Sequence, residues 1–173
     1  KGDYIIGNSS NADFTTINSA LYALTNADCI TGDICFKIES GTYTQNIDLT
    51  NYANYLGNYS LTITSLVNHR DSVILNDTAG VLITLNNTNN FSVNNLTLNV
   101  ATNGTHAINI TGNVNNIKIR NCKIFANPNA TTETYCAIFK SYNTGFANNI
   151  DISNNTIDGG FNSILMVGGN TSV

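Results

Sequence analysis

Between residues 91 and 157 the chain repeats one pattern of apolar and polar positions. The segments FSVNNLTL (91–98), IKIRNCKI (117–124) and IDISNNTI (150–157) align without gaps. They give apolar columns Phe91/Ile117/Ile150, Val93/Ile119/Ile152 and Leu98/Ile124/Ile157. The first three positions of each segment alternate apolar, polar, apolar, as a half-buried strand does. Asn95, Asn121 and Asn154 then interrupt the alternation, and a second short strand begins beyond them. Asn tolerates the left-handed backbone of a tight bend, so a strand–bend–strand unit is predicted three times over.

The copies are spaced by 26 and 33 residues, and the longer interval contains the loop NPNATTETY (127–135). Further short apolar stretches lie before, between and after the copies: VLITL (81–85), AINI (107–110), AIFK (137–140) and SILMV (163–167). Earlier rungs are readable in LTITSL (61–66) with SVIL (72–75), and in ICFKI (34–38) with NIDL (46–49). Three short strands per turn of about 22–30 residues predict an all-β, right-handed parallel β-helix of about five to six coils. Equivalent positions then stack about 4.8 Å apart, and the Asn column can form an amide ladder. A Greek-key sandwich also uses short strands joined by turn residues, but it does not require this column register.

DFTTINSALYAL (13–24) departs from that period. Phe14, Ile17, Ala20, Leu21 and Leu24 recur at helical spacing, with Asp13 in the N-cap position. One short helix ahead of a run of coils reads as a cap over the first coil's strand edge. The chain is therefore expected to form one domain over 1–173, with strand and capping helix in 1–28 and coils in 29–173. MVGGNTSV at the other end carries no comparable cap, so we expect a part of a longer protein or assembly.

Composition sharpens this picture. Only 10% of the 173 residues are charged, against about 25% in ordinary domains. Their place is taken by 32 Asn and 22 Thr, uncharged groups suited to in-register stacking, where like charges would repel. The net charge of −4 gives no footprint for nucleic acid, and no apolar run is long enough for membrane insertion. Eleven Asn-x-Ser/Thr sequons occur, a modest excess for such a composition. Four cysteines, Cys29, Cys35, Cys122 and Cys136, show no zinc spacing and are disulfide candidates. Cys29–Cys35 is the favoured bridge, implying an oxidising compartment.

The opening stretch GDYIIGNSSNADFTTINSALYAL, followed by GDICFKIESGTYTQNIDL and HRDSVILND, resembles the N-terminal part of parallel β-helix modules in large secreted surface proteins of Bacteroidetes. It is more distantly similar to pectin methylesterases and pectate-lyase-like proteins, in which a DFxTIxxAI helix is followed by GxYxExI. The resemblance covers roughly residues 2–77 and implies how the fold begins rather than what it binds. This chain has Gln45 where that pattern has Glu.

A catalytic constellation does not emerge. Hydrolases of this fold need clustered carboxylates, and lyases need Ca²⁺-binding Asp residues with a basic partner. The nearest approach is HRDSVILND, where Asp71 and Asp77 flank a short strand and lie about 20 Å apart if extended. Asp151 is expected to pair with Lys118 on the neighbouring rung. No metal or cofactor is implied. Candidate ligand contacts are Tyr52, Tyr55 and Tyr59 in the loop NYANYLGNYS, since tyrosine rings and amides suit sugar faces and hydroxyls. A second candidate is the basic patch Lys118, Arg120 and Lys123, which suits an anionic sugar. Phe91, Phe139 and Phe161 are expected inside.

These features point to a secreted or cell-surface module without enzymatic activity, contacting polysaccharide, glycan or surface protein in an adhesive or structural role. Two other readings stay open: a fragment of a polysaccharide lyase, esterase or hydrolase, and a fibre subunit that self-associates through its last coil.

Overall fold

The computed structural model describes residues 2–27, 30–50, 52–78, 80–100, 104–142 and 145–168. It is an all-parallel β-solenoid of about five turns. The chain opens with strand β1 (Gly2–Ile6) and helix α1 (Ile17–Thr25). The first turn comprises β2 (Ile34–Ile38), β3 (Gly41–Thr44) and β4 (Ile47–Asp48), followed by the short helix α2 (Ala53–Leu56). The second turn is β5 (Leu61–Ser65), β6 (Val73–Asn76) and β7 (Val81–Asn86). The third is β8 (Asn89–Asn94), β9 (Thr97–Asn99) and β10 (His106–Thr111). The fourth is β11 (Val114–Arg120), β12 (Lys123–Phe125) and β13 (Cys136–Lys140), and the fifth β14 (Ala147–Ser153), β15 (Thr156–Asp158) and β16 (Asn162–Met166).

Each turn adds one strand to each of three parallel sheets. The first sheet runs β1-β2-β5-β8-β11-β14, the second β3-β6-β9-β12-β15 and the third β4-β7-β10-β13-β16. The register reproduces the repeat residue for residue: Phe91, Ile117 and Ile150 are Cα partners, as are Val93, Ile119 and Ile152, and Leu98, Ile124 and Ile157. The third sheet adds the column Ile47, Ile83, Ile108, Ile138 and Ile164. These columns form one core, with Phe91, Ile117, Ile119 and Ile124 fully buried. In the fifth turn Ile150, Ile152 and Ile157 are only partly buried, and Ile164 is 42% exposed.

The bends carry the asparagines. Asn95, Asn121 and Asn154 sit at φ 56°, 50° and 58°, where an L residue needs a reason to be. The Asn121 side chain donates to Asn95 Oδ1, and Asn95 donates to Thr64 Oγ1 at 3.4 Å. A second ladder, outside the eight-residue repeat, joins three asparagines: Asn149 Nδ2 donates to Asn116 Oδ1 at 3.3 Å, and Asn116 Nδ2 to Asn90 Oδ1 at 2.8 Å. All three of these residues are also left-handed. The sequons at Asn90, Asn95 and Asn154 thus owe their Asn to backbone geometry.

Two local expectations are corrected. The helix starts at Ile17, capped by Thr16 and Ser19 in a reciprocal capping box rather than by Asp13. Asp13 instead accepts the Ile5 N–H at 2.7 Å, and Phe14 lies extended beside Ile6. Ile17, Ala20, Leu21 and Leu24 enter the core as the periodicity requires. The first turn also contains a strand, GTYT, that the pattern does not announce. Of its four residues only Tyr43 stacks in an apolar column, opposite Leu75.

Candidate functional site

The basic candidates gather around the bend between the first and second sheets. Lys118 and Arg120 lie on β11, and Lys123 opens β12 beyond the left-handed Asn121. Arg70, from the loop between β5 and β6, reaches the same surface: its guanidinium donates to Thr156 Oγ1 at 3.3 Å, and its C=O accepts from Thr97 Oγ1 at 2.8 Å. Thr97, Lys123 and Thr156 are register partners, so Arg70 overlies the Lys123 position. Four of the seven Lys and Arg residues of the chain therefore border one bend.

Two carboxylates sit among them. Lys118 and Asp151 are Cα partners as the repeat predicts, but Asp151 is held by Arg120, through Nε at 2.9 Å and through Nη2. The guanidinium offers adjacent donors that a single ammonium cannot. Asp71 pairs with Lys123. Both carboxyls are held below the usual range, Asp151 by its Arg120 and Ser153 hydrogen bonds and Asp71 by its Lys123 bond. Asp77 is buried, so Asp71 and Asp77 serve different environments. Four cations against two carboxylates leave this bend positive on a chain of net charge −4.

Phe125 adds an aromatic surface at the far end of β12. It is 38% exposed and lines a groove of about 420 Å³ with Asn99, Val100, Ala126, Pro128, Asp158 and Gly159. Asn99, Phe125 and Asp158 are register partners, placing ring, amide and carboxylate in one outward row. The sequence signal was present in KIF (123–125), whose alternation turns Lys123 and Phe125 outward and Ile124 inward. Only the register with Asn99 and Asp158 shows what surrounds the ring.

The tyrosines divide. Tyr52 packs partly against the core, its ring 6.3 Å from that of the exposed Tyr55, and Leu56, the residue after Tyr55, is buried. Burial, then the nearby Asp48, raises the Tyr52 hydroxyl pKa. Tyr59 lines a different groove with Gly2, Thr31, Gly32 and Asp33. Among the other aromatics, Phe91 is inside as expected. Phe161, however, is 50% exposed, and Phe139 stacks on His106 at 4.6 Å in the third sheet.

Cys35, Cys122 and Cys136 carry free thiols, so the Cys29–Cys35 bridge is not formed; Cys29 lies outside the described residues. Cys35 is on β2 between Asp3 and Thr62. Cys122 is buried at a bend, where desolvation pushes its thiol up to about 11, and Cys136 opens β13. Among the described residues, no three His, Cys, Asp or Glu side chains converge for a metal. No family model, curated protein or solved structure matches this chain.

Proposed function

We propose that this protein is a secreted or cell-surface β-helix module that binds acidic glycan along the bend between its first and second sheets, in an adhesive or structural role. The observation that carries this reading is the grouping of Lys118, Arg120 and Lys123 in the fourth turn with Arg70 reaching over from the second, beside the groove of Phe125. A cluster of cations suits a polymer that carries carboxylates, and an exposed ring suits a sugar face. The carboxylates at the bend are engaged in ion pairs, which supports binding there rather than acid–base chemistry. The resemblance of the opening segment to secreted β-helix modules supports the location.

Titration with polygalacturonate, with dextran as the neutral control, tests this. Binding should favour the acidic polymer, weaken as salt rises, and fall about tenfold or more in a Lys118→Gln/Arg120→Gln/Lys123→Gln variant. Equal binding by that variant, or none to the acidic polymer, would rule the site out.

Self-association through the last coil is a second reading, favoured by the exposed Ile164, Met166 and Val167. It predicts a concentration-dependent rise in sedimentation coefficient that Ile164→Lys abolishes.

A further inference from the structure

The N-terminal end of the solenoid presents three strand edges, and the chain treats them differently. On β1, the Ile5 N–H is taken by Asp13 Oδ2 at 2.7 Å, and the Ile5 C=O accepts from the N–H groups of Asp13 and Phe14 at 2.8 and 3.2 Å. Beside β4, helix α1 is tied down. Asn18 Nδ2 donates to the Asn46 C=O at 3.0 Å, and the Asn18 N–H to Gln45 Oε1 at 3.3 Å. Among the described residues, none covers the edge of β3 in this way.

Its backbone is half used. Toward β6, the N–H groups of Gly41 and Gln45 donate to Ser72 and Asn76 at 2.8 and 3.0 Å. Backbone groups of alternate residues point to opposite edges of a strand, so the N–H and C=O of Thr42 and Thr44 face away from β6. They face a groove of about 470 Å³ whose other wall is Asn8, Thr15 and Thr16. Hydroxyls, amides and the Tyr43 ring line it, with no carboxylate, amine, guanidinium or imidazole. The Tyr43 hydroxyl is already engaged, donating to the Glu39 C=O at 3.0 Å.

We propose that this groove receives one added β-strand: an extended, uncharged segment of a separate polypeptide that pairs its backbone with Thr42 and Thr44. An alternating row of free N–H and C=O groups is complementary to another strand, and such addition draws its affinity from main-chain bonds. The neutral lining selects against charged side chains, which would lose hydration without gaining a partner. A second solenoid does not fit, because the Asp13 latch on β1 and helix α1 obstruct whole-coil stacking at this end. A single strand beside β3 avoids both.

The test titrates the ¹⁵N-labelled protein with acetyl-Thr-Val-Thr-Val-Thr-amide and with a version of it N-methylated at all five residues. At saturation the parent peptide should slow amide exchange at Thr42 and Thr44 about tenfold. The methylated version, which lacks the backbone donors of both edges, should lose this effect. Thr42→Pro should abolish it and Thr42→Ala preserve it, since the Thr42 N–H plays no part in pairing with β6 and an edge strand accepts proline. Protection by the methylated peptide equal to that by the parent would overturn the proposal without reliance on any variant. So would protection by cellohexaose but not by peptide, or peptide-induced shifts confined to β14–β16.

Discussion

Asn116 donates through Nδ2 to Asn90 Oδ1 at 2.8 Å, and the two residues share a left-handed backbone at φ 57° and 55°. One side chain therefore meets two demands of the bend. Its short amide lowers the cost of a conformation most L residues avoid, and it links a turn to its neighbour. Asn116 also accepts from Asn149, so its amide serves both adjacent turns.

Replacing Asn116 separates those demands. Asn116→Gly keeps the backbone and loses the two amide bonds, an expected cost of about 1–2 kcal/mol. Asn116→Ala adds the left-handed penalty, for a total of about 2–4 kcal/mol. Urea unfolding of the two variants should show alanine as the more damaging; the reverse order would mean that the bend does not depend on Asn for its geometry.

The core columns predict a gradient along the solenoid. Ile117 is fully buried between Phe91 and Ile150, so Ile117→Ala should cost about 2–5 kcal/mol. Ile150 occupies the same column one turn on but is only partly buried, so Ile150→Ala should cost less than half as much. Equal losses in urea midpoint would contradict the burial difference.

Four carboxylates make stability fall in acid. Asp71 and Asp151 are lowered by their cation partners, Glu39 first by the Ser9 hydroxyl, and Asp33 first by the Ser60 N–H. Their folded pKa values lie below the unfolded ones, so their contribution is present above the unfolded value and is lost as pH falls through the folded one. The thermal midpoint should decline below about pH 4. Asp33→Asn should flatten part of that decline, and an unchanged profile would assign it elsewhere.

The fold was legible because in-register stacking writes each column into the sequence at a fixed offset. Phe91, Ile117 and Ile150 could be aligned by eye, and the structure pairs those same residues. The second ladder was legible too, since an Asn precedes each of these three residues; it lay just outside the repeat window. What could not be read depends on side-chain reach or on distant chain segments. Both Lys118 and Arg120 stand near Asp151, and guanidinium geometry rather than spacing decides between them. Arg70 is 86 residues from Thr156. The pairing of Asp13 with Ile5 required knowing that β1 ends the first sheet, because as a local motif Asp13 resembles an ordinary N-cap.

His106 should add a step nearer neutrality. It is buried, stacked on Phe139 at 4.6 Å, with Nδ1 3.3 Å from the Cys136 C=O. Burial lowers its pKa, against a smaller opposing effect of that carbonyl. The unfolded chain then binds a proton that the folded chain refuses, so stability drops as pH falls below the unfolded value of about 6.5. Unfolding curves at pH 7.5 and 5.5 should differ for the native chain and converge for His106→Gln. A difference that persists in the variant would remove His106 as its source.

Asp13 is expected to guard the edge of β1. Its carboxylate closes the outer edge of β1, and its own N–H binds the same residue, Ile5, through the C=O. Exposed strand edges invite pairing between molecules, and a short charged side chain turned onto the edge is one way to prevent it. Asp13→Ala leaves the Thr16–Ser19 cap of α1 intact, so the helix should persist with unchanged far-ultraviolet circular dichroism. The Ile5 N–H loses its acceptor, the amide should exchange faster, and self-association should rise with concentration in sedimentation velocity. Asp13→Asn retains a carbonyl acceptor and should remain closer to the native chain in both measurements. If Asp13→Ala lowers stability without any gain in association, the latch holds the N-terminal loop in place and does not guard the edge.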